Sequence, residues 1–92
     1  NIGTADGASA DGTVAEKLFA VAKNSSYSAV LNGRFKGGYI TRHYGKPKDG
    51  VHAIQLELGQ KNYMQENYPF AYDEGKAVRL QATLKDILSH II

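Results

Sequence analysis

The sequence predicts a small α/β or α+β domain in which helices cover a small mixed sheet. Three observations predict it. Apolar residues recur at helical spacing near both ends, at Val14, Leu18, Val21 and Ala22 and again at Ala77, Leu80, Leu84, Ile87, Leu88 and Ile91. Between them lie three apolar or β-branched runs bounded by Gly, Pro, Asn and Ser. The length of 92 residues supports one domain, 1–92, with a single thin core.

Residues 1–12, rich in Gly, Ala, Asp and Ser, read as a loop. Thr13 followed by Glu16 has the spacing of a capping box, so a helix is expected over 13–24, ended by "NSS". The runs "YSAVLNG" (27–33), "GYITRHY" (38–44) and "VHAIQLEL" (51–58) read as strands. "GKPKDG" (45–50) is a loop that turns the second strand into the third. Residues 60–67 read as a short helix, and Asp73 caps a last helix over 74–91. Three strands with two or three helices look like the end of a larger sheet.

Composition narrows the function classes. There is no cysteine, so neither a disulfide scaffold nor a thiolate metal site is available. The lack of cysteine suits a reducing cytoplasm, and no signal peptide or apolar run long enough to cross a membrane appears, so a soluble, cytoplasmic protein is expected. The net charge is only +2, yet Arg34, Lys36, Arg42, Lys46 and Lys48 precede the next acid, Asp49. Such a patch is either a solvated surface or an anion site.

Pairing 38–44 with 51–58 through the loop sets Tyr44 opposite Val51, Arg42 opposite Ala53, Ile40 opposite Gln55 and Gly38 opposite Glu57. Alternation then puts Arg42, Gln55 and Glu57 on one face. Glu57 stands at the carboxyl end of its strand, where open α/β sheets bind ligands. The glycine opposite leaves room beside the carboxylate. The plainer readings are a solvated glutamate, a surface arginine and a hairpin bulge at Gly37 and Gly38. His43 and His52 match no metal-ligand spacing, and His90 suits a helix C-terminus. No phosphate loop, HExxH or GxSxG is present. A second function class is a small binding module whose basic hairpin grips an anionic ligand or RNA, with Tyr, Phe and Arg stacking on bases. The short basic run and small net charge weigh against it, so nucleic acid is not the expected partner.

The stretch "VLNGRFKGGYITRHYGKPKDGVHAIQLELGQKNYM" (30–64) resembles the C-terminal half of the N-formylglutamate deformylases, or N-formylglutamate amidohydrolases. "NIGTADGAS" and "YPFAYDEGKAVRLQATLKDIL" are similar to the same family. The resemblance implies hydrolysis of N-formyl-L-glutamate to glutamate and formate in histidine degradation. It implies a fold like that of zinc carboxypeptidases and aspartoacylase-type deacylases, the phosphorylase/hydrolase-like fold. In such enzymes zinc polarises the amide carbonyl and activates a water, while a strand-end carboxylate carries the proton. Glu57 matches that carboxylate by resemblance. Arg34 and Arg42 are the implied substrate clamps, since a guanidinium holds both oxygens of a carboxylate, with Asn32 and His43 beside them. The implied zinc ligands, a His/Glu/His set, lie upstream. The expectation is therefore a C-terminal part of a longer zinc enzyme, inactive alone and holding no metal itself. Its substrate is a small molecule, and it self-associates through an exposed sheet edge.

Overall fold

The computed structural model describes residues 1–91. It shows the mixed α/β class: three α-helices and a small sheet. The sheet is not the predicted hairpin. Strand β1, Ile2–Gly3, sits in the stretch read as a loop and pairs antiparallel with β2, Gln55–Leu56. Ile2 lies opposite Leu56, and Gly3 lies opposite Gln55. On the other side of β1, Ile2 forms a parallel bridge with Leu31. Its amide donates to the Val30 carbonyl at 2.9 Å, and its carbonyl accepts from the Asn32 amide at 2.7 Å. The N-terminal strand is thus central, with one parallel and one antiparallel neighbour. A two-residue strand is too short for a period-2 signal, which is why it reads as a loop.

The first helix, α1, spans Gly12–Lys23, one residue earlier than predicted at each end. Its N-cap is Asp11 and not the Thr13–Glu16 box: the Asp11 carboxylate accepts from the Thr13 amide at 2.9 Å and from the Thr13 hydroxyl at 3.0 Å. Leu18 and Ala22 of α1 pack with Ile2 and with Ile87 of the last helix. That helix, here labelled α3, spans Glu74–Ser89 and is capped as predicted by Asp73, which accepts from the Lys76 amide at 3.0 Å.

Residues 38–44 overturn the strand prediction. Tyr39–Tyr44 form a short helix, α2, with Gly38 as N-cap. Arg42 N–H donates to the Gly38 carbonyl at 3.2 Å, and Gly45 N–H to that of Thr41 at 3.1 Å. The β-branched and aromatic side chains that suggest a strand suit any half-buried surface, so the context decides. Here Gly37 turns the chain at φ 110°, and Thr41 is buried beneath it. Gln55, the predicted partner of Ile40, pairs with Gly3 instead. Of the loop pairing only a bridge between Lys46 and Val51 survives, around a 3-10 turn at Pro47–Asp49. Of 27–33, only Leu31 makes a bridge, and 51–58 is a strand only at 55–56. The helix expected over 60–67 is a 3-10 turn, Gln60–Asn62.

An irregular arm follows. Met64 bridges Tyr72, Gln65 N–H donates to the Ala71 carbonyl at 2.8 Å, and Asp73 N–H donates to that of Tyr63 at 2.9 Å. At its tip Tyr68 is 88% exposed and packs edge-on against Phe70.

Two polar locks fasten the loops to the sheet. Asn32, at φ 51°, accepts from the Thr4 amide and donates to the Thr4 hydroxyl, each at 2.8 Å. Asn tolerates this left-handed backbone better than other side chains. Ser9, fully buried, donates its hydroxyl to the Ala53 carbonyl at 2.7 Å and accepts the Ala53 amide at 2.9 Å.

Asn32→Ala strands the buried Thr4 amide, and the expected loss is about 1–3 kcal/mol of unfolding free energy, read by denaturant titration. Acid should also weaken the fold through its helix caps. Backbone hydrogen bonds from Thr13 and Lys76 hold the Asp11 and Asp73 carboxyls below their ordinary value of 3.8. A carboxylate depressed on folding stabilises fully above its unfolded value, and that stabilisation is lost as pH falls through the folded value. Stability should therefore drop below about pH 4, and Asp11→Asn with Asp73→Asn should flatten that drop in a series of thermal melts.

Candidate active site

The Gly37–Gly38 peptide joins the residues singled out in the sequence. Its carbonyl, on Gly37, accepts from Nη1 of Arg42 at 3.0 Å. Its amide, on Gly38, donates to Oε1 of Gln55 at 3.1 Å. The other end of the Gln55 side chain donates from Nε2 to Oε2 of Glu57, also at 3.1 Å. A single peptide unit thus links the guanidinium of Arg42 to the carboxylate of Glu57. The two charged groups are joined through neutral groups, a peptide and a side-chain amide, and not by a direct ion pair.

Each element places its member for a local reason. Glu57 follows β2, and its backbone continues the ladder: its amide donates to the Asn1 carbonyl and its carbonyl accepts from the Asn1 backbone nitrogen, both at 2.9 Å. Gln55 and Glu57 lie two residues apart and reach the same side. Arg42 lies one turn into α2, where its side chain folds back to Gly37. The two glycines differ in what they require. A Cβ on Gly37 falls 2.8 Å from the Thr41 side chain, at a φ that L residues rarely adopt. A Cβ on Gly38 meets nothing within 4 Å.

The predicted pairing of Gly38 opposite Glu57 is not formed. Glu57 has Asn1 as its cross-strand neighbour, and Gly38 reaches it through Gln55. Gln55 and Asn1 are the members that the sequence reading missed as contacts. Alternation put Gln55 on the correct face; nothing in the sequence marked Asn1. The Asn1 side-chain amide also donates to the Phe35 carbonyl, which brings that segment to the cross-strand neighbour of Glu57. Arg34 is exposed there, its guanidinium 5.8 Å from the Phe35 ring centroid. His43 is exposed on α2, stacked on Tyr39 at 4.8 Å and edge-on to Tyr44 at 4.7 Å, with no hydrogen bond to Glu57. Asn32 spends its side chain on Thr4 and Asp6.

A cleft of about 300 Å³ opens beside the strand end, between the sheet and α3. Glu57 and Lys61 contribute to its wall, with Ile2, Leu56, Leu80 and Ile87. Among the described residues there is no group of three or more His, Asp or Glu side chains that could hold a metal ion. The residues present therefore do not fit a zinc centre of their own. Among the described residues, no helix is long and apolar enough to cross a membrane.

The geometry defines a mixed α/β unit with a carboxylate and a guanidinium tied together at a strand end. Comparison with known proteins says where such a unit occurs. The family model for N-formylglutamate amidohydrolase matches residues 1–64. The N-formylglutamate deformylase of Pseudomonas putida is 53% identical over 93 aligned positions, spanning all of this chain and 35% of that protein. The N-formylglutamate deformylase of Pseudomonas aeruginosa is 52% identical over the same span. No solved structure matches. The chain belongs to the N-formylglutamate amidohydrolase family. It spans about a third of the length of these relatives.

The glycine pair gives a paired test. Gly37→Ala should cost about 1–3 kcal/mol of stability because of its backbone conformation and the Thr41 contact. Gly38→Ala should stay within about 0.5 kcal/mol, since its side chain enters open space. Parallel denaturant titrations of the two variants check the contrast.

Proposed function

We propose that this chain is the part of an N-formylglutamate deformylase that carries the proton-transferring carboxylate and the substrate clamps. The observation that carries the reading is the identity of 53% along the whole chain with an enzyme of that name. The linked Glu57 and Arg42 support it from the geometry.

In this reading Glu57 accepts a proton from the water that attacks the formyl carbon. A new C–O bond forms, the C–N bond breaks, and Glu57 returns the proton to the departing nitrogen. The products are formate and the free amine of glutamate. Arg42 keeps N–H groups beyond the one spent on Gly37, and these can hold one substrate carboxylate in a bidentate pair. Arg34, exposed beside Phe35, takes the other. His43 borders the site on α2, and Asn32 supports it through Thr4. The zinc of this reading is held by residues outside this chain, and no step above runs through it. The same reading places the reaction in the cytoplasm, in histidine breakdown, and leaves these 92 residues inactive in isolation.

The test is Glu57→Gln in the full-length polypeptide. Turnover of N-formylglutamate should fall by about 10²–10⁴, the range for losing a positioned acid–base group, with an unchanged melting temperature. Arg42→Lys should chiefly raise KM, because an ammonium cannot reproduce the fork. Wild-type turnover by Glu57→Gln ends the assignment.

A further inference from the structure

We propose that Gln55 is a positioning residue for the Glu57 carboxylate, with the Gly37–Gly38 peptide as its anchor. The inference deepens the reading of Glu57 as the proton carrier and rests on it.

The orientation of the Gln55 amide is set by its neighbours. Gly38 N–H is a donor, so it must face the carbonyl oxygen, and the amide nitrogen must then face Glu57. Both contacts are 3.1 Å. The anchor is itself held from behind, because the Gly37 carbonyl of the same peptide accepts from Arg42 at 3.0 Å. A peptide unit is planar, so fixing its carbonyl and its amide fixes the direction in which the Gly38 N–H points. That direction sets Gln55, and Gln55 sets one oxygen of Glu57.

The consequence lies in the two carboxylate oxygens. Oε2 is engaged by Gln55. Oε1 has no hydrogen-bond partner among the described residues, so it is the oxygen free to take a proton. Glu57 is exposed, and an exposed glutamate samples several rotamers. Holding one oxygen selects among them, and a misplacement of about 1 Å in a reacting group can cost about 100-fold in rate. The Gln55 side chain is not needed for the sheet, since β2 pairs with β1 through backbone groups. The relay also ties the carboxylate to α2, so the base and Arg42 keep one relative position.

The two hydrogen bonds of Gln55 can be separated by a near-isosteric change. Gln55→Glu keeps an oxygen for the Gly38 amide and replaces the donor facing Glu57 with a second acceptor. Gln55→Leu removes both bonds. In the full-length polypeptide, with N-formylglutamate as substrate, Gln55→Glu should lower kcat by about 10- to 100-fold and leave KM within about twofold. Gln55→Leu should fall at least as far. The decisive measurement is the double-mutant cycle with Glu57→Gln. If Gln55 acts through Glu57, adding either Gln55 change to Glu57→Gln should alter the residual rate by less than about twofold. Multiplying losses mean a structural role and overturn the proposal. Wild-type rate in Gln55→Glu alongside a slow Glu57→Gln overturns this inference alone. Wild-type rate in Glu57→Gln removes the underlying reading as well.

Discussion

The two backbone hydrogen bonds of Ile2, one to Val30 and one from Asn32, hold the middle of the sheet together. With the antiparallel ladder to β2 on the other side, they make the start of the chain its central strand. Ile2 is 2% exposed and packs against Leu18, Ala22 and Ile87. One residue therefore connects two distant chain segments to both long helices. The rest of the architecture follows from that occupancy. Gln55 gives its backbone to Gly3, the 38–44 stretch coils into α2, and the turn at Gly37 brings the Gly38 amide to the Gln55 side chain. The linkage between Arg42 and Glu57 is a by-product of where the N-terminal strand lies.

That linkage has an electrostatic logic. A guanidinium pressed directly against a carboxylate forms an ion pair in which each charge satisfies the other. Here a peptide and an amide stand between them, each accepting from one side and donating to the other. Hydrogen bonds in such a chain polarise one another in the same sense. Both charged groups stay fixed in direction, and each keeps a free side for an anionic or protic partner.

The two long helices were legible because amphipathic helices announce themselves. Ala77, Leu80 and Ile87 recur at the helical period and are buried, and Asp73 caps as its residue type suggests. The sheet and the 38–44 stretch were not legible, for two different reasons. β1 has two residues, too few for any periodicity, and its strand character comes from burial between neighbours that are distant in sequence. The 38–44 stretch has the composition of a strand, and only the conformation at Gly37 and the buried Thr41 decide for a helix. Period-2 alternation put Gln55 and Glu57 together correctly even though their strand has another partner. The glycine expected opposite Glu57 is not its cross-strand neighbour, which is Asn1, and the role of Gln55 as connector needed coordinates.

The arm between Tyr63 and Asp73 has its two ends fastened and its tip bare. The two sides of its base are held by backbone bonds flanking the Met64–Tyr72 bridge, Gln65 to Ala71 and Asp73 to Tyr63, and by the Gln65 side chain on the Asp73 carboxylate at 2.8 Å. The same carboxylate starts α3, so the helix takes its origin from the base of the arm and not from its apex. Residues 66–70 contribute nothing to the buried core and lie past the span matched by the family model. Chain can be lengthened where its closing ends stay put at little entropic expense. The apex is thus a natural graft point: a peptide tag or fluorophore-bearing loop spliced between Asn67 and Ala71 leaves the origin of the last helix, and the sheet behind it, where they are.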